Sequence, residues 1–154
     1  MFDLDDFLPY RITVLASHIA VSFARQHAER FGLSIPEWRV VAVLGRHGEL
    51  SSGEVMDKTS MDKAKVSRAV TRLAAAGIIA RKAHPEDQRS NRLELTREGR
   101  RIHDRITPIA VDLERELLSV LTREEQETFG RVLAKLDRKV LDMAGSALDG
   151  DAHI

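Results

Sequence analysis

The sequence predicts a mainly α-helical fold with one small β-hairpin, on three observations. Apolar residues recur every three or four positions along most of the chain. That periodicity breaks once, between about Ile78 and Leu95, into short β-branched and alternating runs around a cluster of turn formers. Ser or Thr followed three residues later by Glu, the signature of a capped helix start, occurs at Ser34–Glu37, Ser51–Glu54 and Thr122–Glu125.

The first helix is expected from about Phe7 to Phe31, where Ile12, Leu15, Ile19 and Phe23 recur at helical spacing and Gly32 follows as a terminator. Ser34-Ile35-Pro36-Glu37 opens the second, whose buried face is Val40, Val41 and Leu44 and whose end is Gly48. Ser51-Ser52-Gly53-Glu54 starts a short helix through about Lys58. The next runs from about Asp62 to Ala76 and carries Val66, Ala69, Val70 and Leu73 as one apolar stripe, with Gly77 placed for a C-cap. Ile78-Ile79-Ala80-Arg81-Lys82 then reads as a strand, His84 to Asn91 as a loop, and Arg92-Leu93-Glu94-Leu95 as a second strand alternating with a period of two. Thr96 can cap a long helix whose Ile102, Ile106, Ile109, Leu113, Leu117 and Val120 step by three or four; Pro108 inside it should bend it. A last helix follows Thr122, with Phe129, Val132, Leu133, Leu136, Val140 and Met143 as its apolar residues, and residues 149–154 are expected to fray.

Composition narrows the function classes. At 154 residues, 43% hydrophobic and 31% charged, the chain falls in the globular and not the disordered class, and one ordinary core is within reach. Cysteine is absent, which excludes disulfides, thiolate metal sites and thiol redox sensing. No run approaches the ~20 apolar residues of a membrane span. The opening stretch with Asp3, Asp5 and Asp6 is acidic where a signal peptide is basic, so a cytoplasmic location without a membrane partner is expected. A Gly-rich phosphate loop, a Gly-x-Ser-x-Gly elbow and His-Glu-x-x-His are all missing. The six histidines (18, 27, 47, 84, 103 and 153) lack the clustered spacing of a zinc site. No catalytic constellation, cofactor or metal site is therefore expected.

Formal net charge is zero, which alone argues against a nucleic-acid binder. Its distribution argues the other way: residues 58–107 hold 13 Lys/Arg against 6 Asp/Glu, while both flanks are acidic. Two short helices and a hairpin carrying a basic surplus are the plan of a winged helix-turn-helix. Stepping 100° per residue from Val66 puts Lys65, Ser67, Arg68, Thr71 and Arg72 opposite the apolar stripe. Arginine and lysine there can donate to guanine O6 and N7, while Ser and Thr can contact phosphates or bases. No carboxylate interrupts Lys63 to Arg81. In the hairpin loop, Arg89 can enter a minor groove and Asp87 can hold a nearby arginine in place; a plain polar turn is the other reading of that pair.

Val66-Ser67-Arg68-Ala69-Val70-Thr71-Arg72-Leu73, Gly77-Ile78-Ile79-Ala80-Arg81, Asp87-Gln88-Arg89-Ser90 and Leu95-Thr96-Arg97-Glu98-Gly99 resemble, in order and spacing, the MarR family of bacterial transcription regulators. The resemblance runs over residues 34–105, and the flanking long helices resemble that family's dimerisation region. It implies a homodimer on a roughly palindromic operator, with recognition-helix positions at Lys65, Ser67, Arg68 and Arg72 and wing positions at Asp87 and Arg89. Ala74-Ala75-Ala76 departs from it, since relatives often place a glutamate in this turn; that bears on local salt bridging and not on the fold. The resemblance also implies a small effector, frequently an aromatic acid, bound between the dimer base and the winged lobe. Tyr10, Arg11, His18, Trp38 and Arg39 are the candidates, Trp38 as a stacking surface and an arginine as carboxylate partner. A lone Trp or His is more often core or hydrogen-bonded structure.

The expected organisation is a single domain over 1–154, with a DNA-binding lobe at 34–105 and helical dimerisation segments at 1–33 and 106–146. The apolar stripes of the first and last helices would be large exposed patches in a monomer, which also argues for two copies. A repressor occluding its operator is the expected sign of regulation. Two rivals stand beside it. A winged-helix protein-interaction module would want apolar anchors where Lys65, Arg68 and Arg72 lie; a regulator sensing a metal through His and carboxylate ligands has weaker support.

Overall fold

The computed structural model describes residues 2–83 and 91–150. Its elements are α1 (Leu8–Phe31), α2 (Ile35–His47), β1 (Leu50–Ser51), α3 (Ser52–Thr59), α4 (Lys63–Ala75), β2 (Ile79–Ala83), β3 (Asn91–Leu95), α5 (Arg97–Leu118) and α6 (Arg123–Gly150). The chain divides into two compact units, Met1–Val111 and Asp112–Ile154. The mainly helical class with a small hairpin wing holds.

In the first unit, both expected capping boxes close. The Ser34 amide donates to Glu37 and the Glu37 amide to the Ser34 hydroxyl, and Ser51 and Glu54 do the same. Ser60 lies in the left-handed region (φ 53), which turns the chain sharply from α3 into α4. Asp62 caps α4 by accepting the Lys65 amide at 2.8 Å. At the other end, Gly77 takes a φ of 71 that a side chain would resist. The Ile78 amide donates back to the Leu73 carbonyl and the Gly77 amide to that of Ala74. This paired closure brings Ile78 and Leu73, both buried, to the helix end.

Helices α2 to α5 and the sheet share one core. Val40, Val41 and Leu44 of α2, Val55 of α3, Val66 and Leu73 of α4, and Leu93 of β3 are almost completely excluded from water, and Ile106 of α5 joins them. The sheet has strand order β1-β3-β2 and is antiparallel throughout, with Ile79 opposite Leu95 and Leu50 opposite Leu93. β1 was not foreseen: two residues are too short to show any period.

The start of α5 locks onto the end of α4. The Thr96 hydroxyl donates to the Gly77 carbonyl at 2.7 Å and accepts from the Gly99 amide at 3.1 Å. The Thr96 amide donates to the Ile78 carbonyl. Backbones approach so closely here that a Cβ on Gly99 would overlap the Ile78 carbonyl oxygen. Further along α5, the Arg105 guanidinium sits 5.4 Å over the Phe31 ring of α1.

In the second unit, Thr122 and Glu125 form the third capping box. Gln126 donates to the carbonyls of Leu118 and Leu121, satisfying groups left open where α5 stops. Two expectations need correction. Val120 is not part of α5, which ends at Leu118, and it is 84% exposed. α6 runs to Gly150, so 149 and 150 are helical; the rest of the segment expected to fray, 151–154, lies outside the described residues. Leu8, Ile12 and Leu15 on α1 are exposed, as are Phe129, Val132, Leu133, Leu136 and Val140 on α6. Among the described residues no helix is long and apolar enough to cross a membrane.

Gly99→Ala should lose the ~1–3 kcal/mol of stability that overpacking costs, and so lower the denaturant midpoint. Gly130→Ala, in open space on α6, should leave stability unchanged or raise it by up to ~1 kcal/mol. Urea unfolding of both variants checks the pair; equal midpoints would contradict the close approach of Gly99 to Ile78.

Candidate nucleic-acid interface

α4 presents two faces that differ completely. Val66, Ala69, Val70 and Leu73 are buried, whereas Lys63, Lys65, Ser67, Arg68, Thr71 and Arg72 are all exposed. These six residues therefore share one exposed polar face of the helix. Arg81 of β2, not among the expected contacts, adds to it: its guanidinium donates to the Thr71 hydroxyl at 3.4 Å. It also lines a small cavity of about 170 Å³ with Lys63, Ser67 and Ser52. A basic residue just past α4 is visible in the sequence; its reach back to the helix is not. Asp87 and Arg89 lie outside the described residues.

Ion pairs sort the basic surplus of the middle segment. Arg92 is spent on structure: its Nε and Nη1 meet Glu49 and Glu54 at 3.1 and 2.8 Å, and Nη2 donates to the Glu49 carbonyl. This ties β3 to the start of α3. Lys82 pairs with Glu94 across the hairpin at 2.8 Å, and the hydrogen bond to that carboxylate pushes the Lys82 ammonium above its usual range. On α4, Lys65 lies 3.8 Å from Asp62 and Arg72 lies 3.6 Å from Glu37. Lys63 and Arg68 make no ion pair within 4.0 Å among the described residues.

A concave surface of about 550 Å³ lies between the start of α2 and the outer face of α4. Lys65, Arg68 and Arg72 supply its charge, Ser34, Ser67 and Thr71 its hydroxyls, and Glu37 its one carboxylate. The sequence placed Glu37 only in a cap.

The five effector candidates separate. Trp38 and Arg39 line one shallow groove of about 460 Å³ with Ala42, Val43, Arg46, His47, Lys58 and Thr59. Trp38 is half-buried, packs on the core and stacks at 6.5 Å with His103 of α5. Tyr10, Arg11 and His18 are exposed on α1 and do not line that groove. Among the described residues no group of three or more His, Asp or Glu is placed to hold a metal.

A profile of the MarR family matches residues 31–90. An HTH-type transcriptional repressor of Mycobacterium tuberculosis is 30% identical over 105 residues, 68% of this chain and 76% of that protein. The chain belongs to the MarR family. Its fold agrees: a MarR/EmrR family transcriptional regulator from Acinetobacter sp. ADP1 superposes with a TM-score of 0.85 at 28% identity, covering 92% of this chain and 99% of that one. BpsR of Bordetella bronchiseptica, whose DNA binding is regulated by 6-hydroxynicotinic acid, shares the fold at a TM-score of 0.82, with 20% identity over 89% of this chain and 97% of its own. As a MarR-family transcriptional regulator, the chain carries its helix-turn-helix as α3 and α4 and its wing as β2 and β3.

The α4 cap has a pH signature. The Lys65 amide bonded to Asp62 holds that carboxyl below its usual range, and the Ser51 amide does the same for Glu54. A carboxyl whose folded pKa is depressed stabilises the fold above its unfolded value and loses that contribution as pH falls through the folded one. Asp62→Ala should thus melt at lower temperature than wild type at neutral pH, and the gap should narrow between about pH 5 and pH 2. Circular-dichroism melts across that range decide it; a constant gap would show that the Asp62 charge contributes nothing.

Proposed function

We propose that this chain is a sequence-specific double-stranded-DNA-binding repressor, acting as a homodimer on a pseudo-palindromic operator and released by a small aromatic acid. One observation carries the DNA-binding part: α4 buries only its apolar stripe and turns Lys63, Lys65, Ser67, Arg68, Thr71 and Arg72 outward together. Lysine and arginine on such a helix neutralise phosphates, and side chains that reach base edges in the major groove read sequence. Arg68 is the foremost reader, because it is exposed near the middle of the helix and forms no ion pair among the described residues. Asp87 and Arg89 would act from the wing on the sequence argument alone. A protein-interaction module is the poorer reading, since this face offers no apolar anchor.

The dimer is supported by the exposed apolar residues of α1 and α6, which a lone chain would leave in water. Repression is supported by the function named for the M. tuberculosis relative. An aromatic-acid effector is supported by BpsR and by the groove in which Trp38 offers a ring face and Arg39, Arg46 and Lys58 offer cations.

With an operator selected from a random duplex pool, Arg68→Ala should weaken binding by ~1–3 kcal/mol at fixed salt while the variant stays folded and dimeric. Wild-type affinity for random duplex should fall steeply with salt. Unchanged operator affinity in Arg68→Ala, or binding indifferent to salt, would defeat this reading.

A further inference from the structure

The carboxylate of Glu37 is an anomaly on this surface. Its side chain is only 7% exposed, yet it faces three cations of α4, a helix whose own residues Lys63–Ala75 include no carboxylate. One oxygen is committed, accepting the Ser34 amide at 2.9 Å to cap α2. The other lies 3.6 Å from Nη1 of Arg72, a side chain that is itself 76% exposed. The two partners are thus unequal: the carboxylate is fixed by its cap and its burial, while the guanidinium is exposed and, among the described residues, held only by this pair. At 3.6 Å this is an ion pair without a hydrogen bond. Its effect on the surrounding potential does not depend on ideal geometry.

A cap alone does not explain the charge. A glutamine at position 37 would also accept the Ser34 amide. What only glutamate supplies is a fixed negative charge under the DNA-facing surface, partly buried and therefore less screened than an exposed one. That charge opposes phosphate binding beside Arg72, whatever the base sequence. Base-edge contacts from the far side of α4 are affected less.

We propose that Glu37 is a specificity-determining residue: by tethering Arg72 and offsetting its charge, it withholds one cation from indiscriminate phosphate binding. The proposal rests on the DNA-binding reading above. It assigns to α2, an element that carries no expected base contact, control over the balance of specific and non-specific affinity.

The test measures binding to random duplex and to the selected operator by fluorescence anisotropy over a range of NaCl, for wild type, Glu37→Gln, Arg72→Gln and the double variant, with thermal melts of each. Glu37→Gln should bind random duplex on the order of two- to fivefold tighter, the range a screened charge gives. Its slope of log affinity against log salt should steepen by ~0.9, one added phosphate contact. The gain on the operator should be smaller, so the ratio of specific to random affinity falls. Adding Arg72→Gln should abolish the gain. Arg72→Gln alone, at an exposed position that tolerates change, should flatten the wild-type slope by clearly less than ~0.9, because the tethered guanidinium is not a full contact. Equal slopes for wild type and Glu37→Gln, a gain that survives loss of Arg72, or a full-contact loss in Arg72→Gln alone would each overturn the tether while leaving DNA binding intact. Salt-independent binding by wild type would instead overturn the DNA reading, and the tether with it.

Discussion

Burial of Val66, Ala69, Val70 and Leu73 is the constraint on which the rest of the molecule depends. These four fix the rotation of α4 about its axis, and rotation decides which side chains face solvent. Turning the helix by one residue would carry Ser67 or Lys65 toward Leu44 and Leu93, burying a hydroxyl or an ammonium without a partner. The outward set is therefore determined by exclusion, with no need for any attraction among its members. Position along the axis is fixed separately, by Asp62 at one end and by the Gly77 turn with its Ile78–Leu73 closure at the other. The Thr96 hydroxyl then ties that turn to α5. On the proposed reading, a surface that contacts base edges needs this rigidity, because side chains about 0.5 Å out of place lose productive geometry.

Features that depend on local sequence were legible; features that depend on contact between distant segments were not. The α4 stripe, the three Ser/Thr–Glu caps and the alternation of Leu93 and Leu95 each announce themselves within a few residues, and each appears as read. β1 was missed because a two-residue strand owes its existence to its partner, Leu93, more than forty positions away. Val120 fits a three-four spacing, yet the Thr122 cap needs the chain to turn just before it, and the turn wins. Glu37 is the clearest case. Its cap was read correctly, and that explanation hid a second role, because nothing in the local pattern brings Arg72 to it.

The zero net charge conceals a division of labour that only the fold makes visible. Arg92 and Lys82 lie in the same basic segment as Lys63 and Arg68, and by sequence all four look equivalent. Arg92 instead joins two glutamates and a carbonyl beside the hairpin, and Lys82 spans its two strands. These pairs neutralise two cations of the hairpin, while Lys63 and Arg68 on α4 make no ion pair among the described residues. Counting charges over a segment thus overstates what a phosphate would meet, and on α4 itself Lys65 and Arg72 lie beside Asp62 and Glu37.

Size completes the reasoning about assembly. A single winged module buries roughly 600–1,000 Å² against a duplex, less than most specific protein–DNA interfaces use. Two modules related by a twofold axis reach the larger area and, by symmetry, select an inverted pair of half-sites. The same chain leaves Ile12 and Leu15 of α1, and Leu133, Leu136 and Val140 of α6, facing water. On the proposed reading these two deficits have one remedy: apolar faces that a lone chain cannot bury are covered by a second copy, and that copy supplies the second recognition helix. Weakening of the apolar faces should therefore reach DNA binding indirectly, through the population of paired chains, and should do so most at low protein concentration.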